Sequence, residues 1–198
     1  TLKAGASVTT GKIHRAMMER ELRGDYKGGT VQVIPHVTNE IKEHIRAAAK
    51  AADAEVAIIE IGGTVGDLEG APYLEAIRQL RWEEGAANTC FVHVTLLPYI
   101  SAAKEVKTKP TQHSVKTLQG AGIAPDVIVC RTESPVPEEQ RGKIALFCNV
   151  KPENVINNEN ADVLYAVPLM FEKEGLADIV LNHFGLEKRP ADLAKWEE

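Results

Sequence analysis

The sequence predicts an α/β fold in which a mostly parallel sheet is flanked by helices. Short apolar, β-branched runs recur along its 198 residues. Most are continuous instead of alternating, the pattern of strands covered on both faces. Helical periodicities fall between them, the alternation that yields parallel strands joined by crossovers. In such sheets ligands collect beyond the carboxyl ends of the strands.

In chain order, the expected strands are VQVIP at 31–35, EVAIIEI at 55–61, TCFVHVTLL at 89–97, DVIVCRT at 126–132 and IALFCNV at 144–150. Between them, IKEHIRAAAKAA is a helical run with Thr38 or Asn39 as its expected cap. YLEAIRQLRWEEG places apolar residues at 74, 77 and 80 ahead of Gly85 as a stop. SVKTLQGAG predicts a helix that starts near His113 or Ser114 and ends near Gly120 or Gly122. From about 151 onward the pattern reads as a loop, a short extended piece and a terminal helix; Pro190 and a short helix capped by Asp192 then lead out.

Composition narrows the class. A chain of this length supports one large domain burying about 70% of its unfolded surface. With 44% apolar and 26% charged residues it is ordinary for a globular protein and unlike a disordered one. A net charge of -5 argues against sequence-independent nucleic-acid binding, which needs a basic surface, and leaves a local basic pocket for small anions open. No apolar run approaches the roughly 18 residues of a membrane span, and TLKAGASVTTGK lacks a signal core. The expected setting is cytoplasmic. Cys90, Cys130 and Cys148 lie in apolar runs without C-x-x-C spacing, so reduced buried thiols are expected.

The chemistry concentrates in the segments after the strands. EIGGTVGDLEG, residues 60–70, sets Glu60, Asp67 and Glu69 around three glycines of GGTVG. An acid at the tip of an apolar strand is either solvated or neutralised by a cation such as Mg2+, and a glycine turn lets backbone amides approach an anion. The turn matches neither G-x-x-x-x-G-K-S/T nor G-x-G-x-x-G. KTKPTQH, residues 107–113, offers Lys107 and Lys109 beside a helix start, which suits a triphosphate or simply a solvated basic loop. Arg131 ends a strand and Lys143 follows a loop. The six histidines show no metal-ligand spacing, and the aromatics are too scattered to stack single-stranded nucleic acid.

Taken together, EIGGTVGDLEG, KTKPTQHSVK and KIALFCNV resemble the synthetase (amidoligase) domain of CTP synthase. The resemblance extends from TTGKIHRAMMERELRGDYKGGTVQVIPHVTNEIK to ADLAKWEE. It implies a P-loop NTPase-like, dethiobiotin synthetase-like amidoligase domain over residues 1–198. It further implies ATP-dependent amination of UTP to CTP through a 4-phosphorylated intermediate, with ammonia from a glutaminase domain, CTP as feedback inhibitor, and a homotetramer. Carried over residue by residue, Glu60 is a Mg2+ ligand, and Asp67, Leu68 and Glu69 contact the pyrimidine nucleotide. Lys107, Thr108, Lys109, Pro110, Thr111, Gln112 and Lys143 hold the UTP or CTP triphosphate, with Lys109 carried as catalytic. Arg131 and the loop at Glu159, Asn160 and Ala161 lie beside the ATP adenine. Phe147 matches an aromatic of the inhibitory pocket, with a core strand residue as the alternative. Family members open with a glycine-rich phosphate loop, a catalytic lysine and a second Mg2+ aspartate, for which no match is found here. The expectation is therefore a domain lacking its N-terminal phosphate-loop segment and the C-terminal glutaminase domain, and inactive alone. A pyrimidine-nucleotide-binding regulatory module without catalysis, and a dethiobiotin synthetase-like enzyme, are the competing readings.

Overall fold

The computed structural model describes residues 4–102, 104–189, 191, 193 and 196. The expected Asp192 cap and the exit at Pro190 lie outside the described residues. The chain divides into two compact units, Thr1–Glu83 and Glu84–Glu198.

The first unit is helical among its described residues: α1 at Thr10–Leu22, α2 at Thr38–Ala51 and α3 at Ala71–Glu84. Thr9 caps α1, its hydroxyl accepting from the Lys12 amide at 3.3 Å. Ile13 and Met17, one helical turn apart, face Val37, Ile41 and Ala76 in a small core, with Tyr73 and Ile45 packed against it. Glu40 is buried there, and its carboxylate lies 3.2 Å from Arg20 Nη2 and 3.3 Å from His44 Nδ1. Lys42 and Arg46 both reach Glu83.

The second unit carries the α/β core. β1 (Val92–Leu96), β4 (Val127–Thr132) and β5 (Val155–Glu159) form a parallel sheet in the order β1-β4-β5. A short antiparallel hairpin of β2 (Tyr99–Ile100) and β3 (Glu105–Val106) follows β1. Helix α4 (Lys109–Gly120) then leads to β4, and α5 (Glu138–Cys148) joins β4 to β5. Two further helices, α6 (Val167–Lys173) and α7 (Leu176–Phe184), follow β5.

Central β4 explains why its run is apolar throughout. Ile128 and Cys130 pack on one face with Val115, Ile144, Ala145 and Cys148 of α4 and α5. Val127 and Val129 pack on the other with Ile156, Phe171, Leu176 and Ile179. A strand covered on both faces has no side to leave polar. Edge strand β1 instead alternates, with His93 and Thr95 buried and Val92, Val94 and Leu96 exposed.

Several expected elements differ. VQVIP is not a strand: the chain turns at Val33–Val37 directly into α2, whose N-cap is Val37 and makes no side-chain capping bond. Pro35 has no N–H to give a ladder. EVAIIEI forms no strand either, and Ile58 is 95% exposed; β-propensity describes how well a residue fits a neighbouring strand, and among the described residues this run pairs with none. IALFCNV lies largely in α5. Its buried residues Ile144, Ala145 and Cys148 follow a helical spacing, so the period was misread as a strand. Helix α4 begins at Lys109, four residues before the expected start at His113, because Pro110 is accommodated in the first turn, where its missing N–H costs nothing. VINNE within the last segment is a full sheet strand, and the single terminal helix is two.

Candidate functional site

The carboxyl ends of the three parallel strands gather one set of expected residues. Register places Leu96 of β1 beside Arg131 of β4, and Arg131 beside Asn158 of β5. Thr132 pairs with Glu159, and the Asn160 amide donates to the Thr132 carbonyl at 3.0 Å. Arg131 therefore stands at the same sheet edge as the loop Glu159, Asn160 and Ala161, with its side chain exposed. The Glu159 carboxylate accepts from Asn157 Nδ2 at 2.8 Å, which fixes the strand end.

The β2–β3 hairpin returns the chain to this edge, the Lys107 amide donating to Pro98 O at 2.9 Å. Helix α4 then begins, and its first-turn amides lack intrahelical acceptors. The six residues of KTKPTQ divide by burial. Thr108, Thr111 and Gln112 are buried: Thr111 Oγ1 donates to Leu96 O at 3.2 Å, and Gln112 Nε2 donates to Thr108 Oγ1 at 3.1 Å. Lys107, Lys109 and Pro110 are exposed. Thr111 anchors the helix start to β1, Thr108 and Gln112 tie it to itself, and two ammonium groups are left at its positive end. Lys107 pairs with Glu105. Lys109 Nζ sits 5.5 Å from the centroid of the Phe147 ring on α5.

Lys143 and Phe147 are four residues apart on α5, hence on one helix face, and both are exposed. α4 and α5 are packed together. Phe147 is therefore neither a strand residue nor a core residue. Reading IALFCNV with a helical period would have placed it beside Lys143.

In the first unit, Glu60 is exposed and, among the described residues, has no hydrogen bond or ion pair. Gly63 takes φ +92°, where a side chain is strained, and a Cβ there would lie 3.8 Å from Asp67 Oδ2. Asp67 Oδ2 accepts from the Thr64 amide at 3.2 Å, closing the turn. Glu60, Asp67 and Glu69 line an open groove of about 1060 Å³ together with Gly62, Tyr73 and Ile77. Carboxylate oxygens suit a hard cation such as Mg2+, which takes one or two carboxylates and completes its shell with water or phosphate. The three carboxylates do not converge on one point: the one group of potential ligand atoms that close among the described residues is Cys90, Asp126 and His183. Two of these residues have structural partners. Asp126 Oδ2 accepts from the Phe91 amide at 2.7 Å, and His183 Nε2 donates to Thr89 O at 2.8 Å and Ala86 O at 3.0 Å.

Burial also tunes groups beside the sheet. His93, hydrogen-bonded to Ser114 Oγ at 2.8 Å, has its pKa lowered by desolvation. Desolvation pushes the Cys130 thiol up to about 12 and the Cys148 thiol to about 11.

The profile of the family described as "CTP synthase N-terminus" matches residues 1–186. Similar proteins include a CTP synthase of Symbiobacterium thermophilum, 60% identical over 194 residues, which are 98% of this chain and 36% of that protein. A CTP synthase of Clostridium acetobutylicum is 55% identical over 99% of this chain and 37% of that protein. One of Geobacillus kaustophilus is 56% identical over 97% and 36%. The chain thus spans a little over a third of the length of these relatives. The expectation of an amidoligase domain lacking its N-terminal segment is corrected by the matched profile, which is that of the N-terminus and takes in the chain from residue 1. With 186 of its 198 residues matched, the chain belongs to the CTP synthase N-terminus family.

Proposed function

We propose that these residues serve the ATP-dependent amination of UTP to CTP, a ligase step of pyrimidine nucleotide synthesis. Uracil O4 attacks the γ-phosphorus of ATP and ADP leaves. Ammonia then adds at C4, the C4–O bond breaks, and phosphate departs. The activation is needed because a carbonyl oxygen is a poor leaving group. Ammonia comes from glutamine through a glutaminase domain, the setting is cytoplasmic, CTP acts as feedback inhibitor, and the assembly is a homotetramer. No helix among the described residues is long and apolar enough to cross a membrane. The fold reading extends to a P-loop NTPase-like, dethiobiotin synthetase-like class.

The observation that carries this reading is the pair of exposed cations Lys107 and Lys109 at the amino end of α4, with a third, Lys143, exposed on the neighbouring α5, in a chain of this family. Three ammonium groups and a helix N-terminus offset the charge of a triphosphate. Lys109, as the catalytic lysine, stabilises charge as phosphoryl moves. Thr108, Thr111 and Gln112 serve this by fixing the helix start, and Pro110 by bracing it. Arg131 and the Glu159–Ala161 loop receive the adenine of ATP. Asp67, Leu68 and Glu69 contact the pyrimidine nucleotide, and Glu60 holds Mg2+, which when bound neutralises phosphate charge.

The test is ATP-dependent CTP formation from UTP and ammonia by the full-length protein. Lys143→Gln and Lys107→Gln should each raise KM for UTP by roughly ten- to a hundredfold, the cost of a lost charged hydrogen bond. Unchanged KM in both would overturn the assignment. The second reading is a pyrimidine-binding module without catalysis. UTP or CTP binding by the isolated chain without turnover would support it; ATP-dependent CTP formation by the chain would refute it.

A further inference from the structure

We infer that Phe147 is a positioning residue that holds the Lys109 ammonium at the mouth of α4, and so prepares the cation for an incoming polyphosphate. This rests on the triphosphate reading of Lys109.

The argument starts from the two lysines of KTKPTQ. They are two residues apart, both exposed, and differently held. Lys107 is paired with the Glu105 carboxylate, so an arriving anion must displace that partner. Lys109 has no carboxylate partner among the described residues, yet its Nζ lies 5.5 Å from the Phe147 ring centroid, inside the range at which a ring face attracts a cation. The two contacts differ in consequence. A carboxylate cancels the charge it orients, whereas an aromatic face restricts the stem and leaves the full charge and all three N–H donors available.

The chain has a structural basis for this arrangement. Lys109 opens α4, where Thr108, Thr111 and Gln112 are buried, Thr111 tying the helix start to Leu96 of β1 and Gln112 bonding Thr108. Phe147 projects from α5, which packs against α4, and its ring is 48% exposed although an apolar side chain of that size gains by burial. Lys143 lies one helical turn before Phe147, on the same face of α5. An exposed ring on a packed helix that touches a lysine, rather than the core, has this contact as its role.

Two measurements separate the contact from its purpose. In the ligand-free chain, the Lys109 side-chain Hε protons, assigned with Lys109→Arg, should be shifted upfield by the ring. Phe147→Leu should abolish the shift, and Phe147→Tyr should retain it. In titrations with UTP and with inorganic tripolyphosphate, Phe147→Leu should weaken both by about two- to fivefold, the effect of an exposed cation–π contact. Phe147→Tyr should restore both, and Phe147→Leu should add nothing in a Lys109→Gln background. Absence of the upfield shift overturns the proposal. So does a Phe147→Leu effect on UTP without one on tripolyphosphate, because the ring would then read the base. An intact shift with Lys109→Gln leaving both affinities unchanged would instead refute the triphosphate reading and uphold the contact.

Discussion

Cys130 and Cys148 show how one position in a fold sets a side chain's chemistry. Both are buried, with thiols raised to about 12 and about 11 by desolvation, so the reactive thiolate is scarce near neutrality. In the native chain both should resist a thiol reagent such as DTNB and react only after denaturation, as followed by absorbance and mapped by mass spectrometry. Thr111 is the polar counterpart. Its buried hydroxyl satisfies the Leu96 carbonyl at the end of β1, so Thr111→Val should cost about 1–3 kcal/mol in denaturant unfolding through the orphaned acceptor. Glu60 is the opposite case, an exposed carboxylate with no hydrogen bond or ion pair among the described residues. Glu60→Ala should leave the chain's unfolding free energy within about 0.5 kcal/mol of the parent, while abolishing CTP formation in the full-length protein if it holds Mg2+.

At the scale of elements, the sheet core and the ion-paired helices respond to different stresses. Ile156 on β5 is fully buried against Val127 and Val129, so Ile156→Ala should cost about 2–5 kcal/mol of unfolding free energy. Acid acts in two windows. The lowered pKa of His93 means that the unfolded chain takes up its proton first; stability is complete above about 6.5 and falls as pH drops below it. Glu75 is held at about 2 by its hydrogen bond to Arg78, with Gln79 also donating, so its contribution is complete above 4.5 and fades as pH falls toward 2. Melting temperature followed by circular dichroism should decline in both windows, and His93→Gln should flatten the upper one alone. IALFCNV marks where element reading failed. Ile144, Leu146 and Phe147 suit a strand by composition, but the chain buries Ile144, Ala145 and Cys148, one face of a helix. A short apolar run does not reveal its own period.

Across the whole molecule, order should track burial. Amide exchange should be slowest in Val127–Thr132, bonded on both sides by β1 and β5, and fast in 54–67, which forms no ladder. Protection in 55–61 equal to that of β4 would contradict this. The parallel α/β character was legible in TCFVHVTLL and DVIVCRT because strands buried on both faces, or on one, leave a local apolar signature. The helices at 38–51 and 71–84 were legible from spacing, and the stop at Gly85 from its freedom at positive φ. EVAIIEI was misread because a strand is completed by a neighbour, which no single run contains. Within the candidate site, KTKPTQ was visible as a string of residue types. Its division into buried anchors and exposed cations was not, and neither was the pairing of Lys109 with Phe147, 38 positions away. By itself the sequence determined the family, the apolar strands of the second unit and the residue types near a nucleotide. Only the tertiary structure decided which of those residues face solvent and which lock the scaffold, because burial and long-range contact depend on distant segments meeting in space.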